Sequence, residues 1–272
     1  MQMPPGMPKP SPIPDVEHIV AVSSGKGGVG KTTVSVNLSV ALARQGQAVG
    51  LLDADIYGPN VPMMLGAAEQ PRAVGGKIIP LENHGVKLMS LGLIAGEDTP
   101  VIWRGPIVGK MIQQFMSDVA WGALDFLVVD LPPGTGDAQL TLAQTVPLSG
   151  AVIVTTPQDV ALEDVTRSVE MFRKVDVPVL GAVENMSAFI CPCCGESAAI
   201  FGTGGGDRIA QAFNVPLLGR LPILPAIRKG GDEGDPIAAG ESDESRTFLD
   251  IARKIMDRID AHEQPGPKIT IS

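Results

Sequence analysis

The chain has 272 residues, enough to bury a full core, and its 44% hydrophobic and 19% charged residues are the proportions of an ordinary globular protein. A net charge of -9 excludes any sequence-wide attraction to nucleic acid or anionic lipid, leaving only a local basic patch to provide one. No apolar run approaches the roughly 20 residues that a helical membrane span needs.

Residues 1–17 are proline-rich and lack a continuous hydrophobic segment, so they read as a flexible leader, and a cytoplasmic location is expected. Residues 18–262 read as one domain and residues 263–272 as a loose tail. The first apolar, β-branched run, His18-Ile19-Val20-Ala21-Val22, predicts a buried strand. It leads into Ser24-Gly25-Lys26-Gly27-Gly28-Val29-Gly30-Lys31-Thr32-Thr33, where Gly25, four residues and then Gly30-Lys31-Thr32 have the spacing of a phosphate-binding loop. The glycines let consecutive backbone N–H groups turn inward around a phosphate. Lys31 is then placed for the terminal phosphates and the Thr32 hydroxyl for Mg2+. Lys26 adds a second cation inside the loop. A glycine-rich turn alone would satisfy so short a pattern, but Val34, Leu38, Ala41 and Leu42 follow at helical spacing as far as Gly46, a stop signal. Strand, glycine loop and helix N-terminus together make an anion site.

Ala48 to Leu52 predicts the next strand, followed by Asp53 and Asp55; Phe126 to Val129 predicts another, followed by Asp130. Mg2+ takes oxygen ligands and keeps several waters, so one or two carboxylates acting through water suffice. Asp130 is the leading candidate for that contact, with Asp53 beside it, and Asp55 is placed to orient or deprotonate an attacking water. Aspartates after strands also serve as turn and cap residues. Leu131-Pro132-Pro133-Gly134-Thr135-Gly136-Asp137 reads as a mobile phosphate-sensing loop or as a rigid turn, with Asp137 equally a helix N-cap.

Ala151 to Val154 and Val177 to Val183 predict two more strands, separated by a helix over Val160 to Val175 with Leu162, Val165, Val169 and Phe172 on one face. Such alternation predicts an α/β fold of the P-loop NTPase kind, a mainly parallel twisted sheet with helices on both faces in three layers. Ligands then gather at the carboxyl ends of the strands. Near the C-terminus Phe248, Ile251, Ile255 and Ile259 form an apolar stripe that suits docking on the core better than lying on a membrane, because the charges around it are mixed.

All three cysteines lie in Cys191-Pro192-Cys193-Cys194-Gly195. In a cytosolic chain this is not a disulfide framework, and the Cys191/Cys194 spacing lets two thiolates grip one soft metal centre from a tight turn. A redox dithiol is the rival reading, although such a pair normally opens a helix. A four-ligand centre needs donors beyond this segment, and His18, His84 and His262 are scattered. A second copy of the cysteine pair, brought up by two-fold symmetry, is the simpler source.

With these segments in view, the chain resembles the Mrp/ApbC iron-sulfur cluster carriers, within the deviant-Walker-A ATPases that include the MinD and ParA proteins. The resemblance rests on the loop from Gly25 to Thr32, Asp53-Ala54-Asp55-Ile56-Tyr57-Gly58-Pro59-Asn60, Trp103-Arg104-Gly105-Pro106, the segment from Asp130 to Asp137, Glu184-Asn185-Met186-Ser187 and the cysteines. It implies an ATP-hydrolysing, Mg2+-dependent homodimer in which Lys26 reaches the partner's phosphates. It also implies that Cys191 and Cys194 of both copies hold a bridging 4Fe-4S cluster, received from an upstream assembly scaffold and passed to apo-proteins. Asn185 looks like the family's adenine-side contact, or else an Asn turn, and Pro222 a residue flanking the base. Cys193 between the two expected ligands departs from the pattern, as does the proline-rich leader where many bacterial relatives have a small extra domain. A positioning or partitioning ATPase acting on a membrane or nucleoid is the alternative. The acidic chain and the cysteines speak for the carrier, with no nucleic acid or membrane as partner.

Overall fold

The computed structural model of the chain describes residues 13–55, 58, 60–67, 69–95, 112, 114–134, 136–158 and 160–263. Residues 1–12 of the leader, the Trp103-Arg104-Gly105-Pro106 segment, Ile56, Tyr57, Pro59, Thr135 and the tail from residue 264 lie outside that set. In chain order the elements are β1 (Val16–Ser23), α1 (Lys31–Arg44), β2 (Val49–Asp53), α2 (Val61–Met64), β3 (Arg72–Val74), β4 (Lys77–Ile79), β5 (Leu81–Asn83), β6 (Val86–Ser90) and α3 (Leu91–Ala95). They continue with β7 (Leu124–Asp130), α4 (Asp137–Thr145), β8 (Gly150–Thr155), α5 (Val160–Lys174), β9 (Val179–Ile190), β10 (Ser197–Ala198), α6 (Gly205–Phe213), β11 (Leu217–Ile223), α7 (Pro225–Glu233) and α8 (Asp243–Glu263).

The main sheet runs β10-β9-β8-β1-β7-β2-β6-β5, with β11 also pairing β9. Its pairings are parallel except where β5 meets β6 and β10 meets β9. Because side chains alternate along a strand, Ile19 and Ala21 of β1 enter one core while Val20 and Val22 enter the other. Leu127 and Val129 of β7 likewise oppose Phe126 and Val128. Val165, Val169 and Phe172 of α5 cover the first face, and Val34, Leu38 and Leu42 of α1 with Phe248, Ile251 and Ile255 of α8 cover the second. This is the expected layered α/β architecture.

Two boundaries differ from the sequence expectation. β1 begins at Val16, inside the leader, because Val16 pairs with Leu124, and α8 runs through Glu263, one residue into the tail. The C-terminal stripe lies in the core: Phe248, Ile251 and Ile255 have no exposed surface. Lys254 stays on the flank of α8 and donates to the Leu218 carbonyl at 2.7 Å. Replacing Phe248 by Ala should therefore cost about 3 to 5 kcal/mol through lost burial and a residual cavity, measured by denaturant unfolding. An unchanged midpoint would place this helix outside the cooperative core.

Candidate functional site

β1 ends at Ser23 and the chain turns through the glycine loop into α1, whose first residue is Lys31. Gly30 caps α1 in the left-handed region, at φ 80°, where a Cβ is strained. A Cβ there would also sit 2.2 Å from the Asn185 amide nitrogen, so the position excludes a side chain twice over. At Gly25 a Cβ would lie 2.4 Å from the Asp164 backbone carbon, and glycine is what lets α5 close against the loop.

The two lysines have separate partners. Lys31 Nζ lies 2.7 Å from Asp130 Oδ1, both groups nearly without solvent contact, while Lys26 Nζ donates to Gln158 Oε1 at 3.1 Å. Asp130 also accepts from the Thr32 hydroxyl at 2.8 Å and the Ser35 hydroxyl at 2.6 Å. Ser35 is a site residue the sequence reading missed. Its signal was available, since it sits four residues after Lys31 on the same helix and so on the same face. Gln139 of α4, also missed, donates to the Ser23 hydroxyl at 3.0 Å and to the Pro132 carbonyl at 2.8 Å, fastening the loop after β7 beside the phosphate loop. The spacing of Gln139 carries no comparable signal, because both its partners are distant or irregular.

Asp53 and Asp130 are register neighbours on β2 and β7, and both are buried. Asp53 accepts from the Ser90 hydroxyl and from the Asp55 N–H, each at 3.0 Å. Burial foremost, and then the Asp130 charge, push its carboxyl up to about 7. Both carboxylates lie beneath the loop. Above it a cavity of about 370 Å³ is lined by Lys26, Lys31, Thr32 and Thr33, by Asp55 and Asn60, and by Met63 and Met64 of α2 against Ile227 and Arg228 of α7. Asp55 thus faces the space a phosphate would fill. Asn185 and Pro222 are not among its lining residues. Asn185 instead donates from its amide to the Val29 carbonyl of the loop at 2.8 Å.

Cys191 follows directly on β9. Its N–H bonds the Glu196 carbonyl at 2.9 Å, and the Gly195 N–H returns to the Cys191 carbonyl at 2.8 Å, closing a tight knuckle that β10 continues. Hydrogen bonds from the backbone of Cys194 and then of Cys193 hold the Cys191 thiol below its ordinary range, favouring thiolate. All three thiols are free, Cys193 and Cys194 exposed. Among the described residues no group of three or more His, Cys, Asp or Glu is placed to hold a metal ion. His18 is buried beside Phe126, and His84 Nε2 lies 2.9 Å from the Gly234 carbonyl.

A mainly parallel sheet with a lysine-bearing glycine loop at the end of a central strand, and aspartates ending the next two strands on one side of it, defines a P-loop NTPase. The family described as ParA, NUBPL iron-transfer P-loop NTPase, matches residues 15–256, and the chain belongs to it. It is 51% identical to the iron-sulfur cluster carrier protein of Synechocystis over 93% of this chain and 74% of the relative. A solved nucleotide-binding protein of Archaeoglobus fulgidus, in complex with ADP, superposes with a TM-score of 0.76 at 37% identity, covering 86% of this chain and 93% of its own. The cell division ATPase MinD of Pyrococcus furiosus follows at 0.64 and 25% identity, over 88% of this chain and 98% of its own.

The Asp53 carboxyl has a testable sign. Its folded value lies above its unfolded one, so the folded chain keeps a proton that the unfolded chain releases. The contribution is complete below about 4 and is lost as pH rises toward about 7, amounting to up to about 4 kcal/mol. Unfolding of the nucleotide-free chain at pH 5 and pH 8 should show over half of this loss, and Asp53→Asn should flatten it. Equal pH slopes in the two proteins would refute the assignment.

Proposed function

We propose that this protein is an ATP-binding and ATP-hydrolysing carrier of iron-sulfur clusters, working as a homodimer in the cytoplasm. The observation that carries the reading is the free cysteine knuckle, with a thiol biased toward thiolate, on a chain whose family is that of iron-transfer P-loop NTPases. The relatives named as cluster carriers support the cargo, and the ADP bound by the Archaeoglobus relative supports the nucleotide.

A nucleotide's phosphates enter the cradle of N–H groups from Gly25 to Thr33 at the N-terminus of α1. Lys31 then exchanges Asp130 for phosphate. Thr32, Asp53 and Asp130 offer only oxygen donors, which fit Mg2+, the two carboxylates through water. The ion, when bound, neutralises charge on the phosphate oxygens. Asp55 on the cavity wall orients the attacking water, and the remaining work is positioning and charge compensation by Lys31 and backbone N–H groups. Lys26, held by Gln158 within one protomer, is the cation that turns to the partner's phosphates. Cys191 and Cys194 supply two thiolates per copy, so the 4Fe-4S cargo sits on the dimer axis. Delivery is from an assembly scaffold to apo-proteins.

The MinD-like reading has the fold in its favour. Against it stands the C-terminal helix, whose apolar stripe is spent on the core rather than left for a membrane.

Anaerobic reconstitution with iron and sulfide should load one cluster per dimer, and Cys191→Ala with Cys194→Ala should abolish it. The same cluster spectrum in the double variant would overturn the assignment. Lys31→Ala should weaken nucleotide binding about ten- to a hundredfold, the worth of one charged hydrogen bond. Lys26→Ala should lose ATP-dependent dimerisation, read by sedimentation. An unaltered dimer would return Lys26 to a local role.

A further inference from the structure

β9 is a single twelve-residue strand that touches the phosphate loop in its middle and carries Cys191 immediately beyond its end. Its first part is pinned. Glu184, 2% exposed, accepts the Gly206 N–H at the start of α6 and a bond from Arg220 Nε at 3.2 Å, and it pairs in register with Thr155. Asn185 comes next, bonded to the loop carbonyl of Val29 and packed into the space that Gly30 leaves by having no side chain.

The ladder then breaks. Leu221 of β11 pairs with Asn185 but Ile223 pairs with Phe189, so Met186, Ser187 and Ala188 stand opposite Pro222 alone. Pro222 has no N–H to give the ladder, which is the usual setting of a bulge. The Ser187 hydroxyl donates to the Leu221 carbonyl at 3.1 Å in place of a ladder bond. Met186 itself has φ 58°, in the left-handed region, although it is not a glycine. Such a conformation persists only where its surroundings enforce it, and it gathers at sites that switch. Burial changes at the same residue: Val179 to Asn185 are buried and Met186 to Ile190 only half-buried.

We propose that Met186 is the hinge through which the nucleotide site positions the cysteine knuckle, and that the Asn185 to Val29 bond is its catch. This rests on the nucleotide and cluster reading given above. Phosphate entering the loop shifts Val29 and draws its carbonyl from the Asn185 amide, the backbone at Met186 relaxes, and the outer half of β9 turns on the pinned inner half. From Met186 to Cys191 the strand spans roughly 16 Å at about 3.3 Å per residue, so a turn of roughly 10° carries the Cys191 sulfur roughly 3 Å. Two copies facing across an axis each make this movement, which alters the fit of both thiolate pairs to a shared cluster. Met186 is thus a positioning residue, with the bistable element being the bulge.

The test uses the full-length chain without cluster. Mg-ADP affinity is measured by calorimetry, and the alkylation rate of Cys191 by iodoacetamide is followed by mass spectrometry with and without saturating Mg-ADP. In the wild type and in Met186→Ala, which keeps the backbone constraint, the nucleotide should change the rate by about fivefold or more, a usual coupling between distinct sites. Met186→Gly relieves the left-handed conformation and should bind ADP yet lose most of that change. Met186→Asn, whose side chain tolerates this region, should lie between and stands in if the glycine variant does not fold. A wild type that binds ADP with an unchanged rate overturns the hinge alone. So does a full effect in Met186→Gly, which assigns the change to dimerisation, or a lost effect in Met186→Ala, which assigns it to the side chain. A wild type that binds no ADP overturns the nucleotide reading itself, and the hinge with it.

Discussion

One carboxylate ties the middle of the sheet to the phosphate loop. Asp130 ends β7, has no exposed surface, and takes Lys31, Thr32 and Ser35 from the first turns of α1. Desolvating two charges offsets most of the attraction between them, so such a pair contributes little net stability, whereas removing one partner leaves a buried charge uncompensated. What the pair contributes is placement. It holds the start of α1 down on the sheet, with the glycine loop lining the cavity beside it. A phosphate bound in the cavity that Lys31 lines would compete with the internal carboxylate for the same ammonium group, making binding an exchange rather than a simple addition of charge.

The neighbouring strand repeats the device with a different outcome. Asp53 sits level with Asp130 but lacks a cation of its own and is satisfied by a serine hydroxyl and a backbone N–H. Two carboxylates this close in a dry site do not both ionise easily, and the one without the lysine keeps its proton up to about 7. A divalent cation bound nearby reverses that logic, since its charge favours both ionised forms.

Fold alone leaves the function open, because a cell division ATPase, MinD of Pyrococcus furiosus, superposes on this chain as well. The cysteine knuckle lies at the sheet's edge, and β9 is the only strand among the described residues that reaches from the loop contact at Asn185 to that knuckle.

Much was legible in the sequence. β1, β2, β7 and β8 are buried on both faces and so read as continuous apolar runs, and α1, α5 and α8 show their stripes at helical spacing. The phosphate loop and the cysteine knuckle are short local segments whose chemistry follows from residues adjacent along the chain. Other features were not legible. β9 is predicted only to Val183, because its outer half is a half-buried, polar-containing run that becomes strand only by pairing with β10 and β11. β6 and β11 mix apolar residues with Lys87 or Arg220 and Pro222, and give no clear period. Asp130 was recognisable as a strand-end acid, but that it holds Lys31 and Ser35 depends on a separation of nearly a hundred residues. The sequence by itself determined the class of fold, the glycine-lysine loop and the thiol pair, since each is written in local spacing. Only the tertiary structure decided which charges meet, which strands pair and where the backbone is strained, since those depend on contacts between residues far apart in the chain.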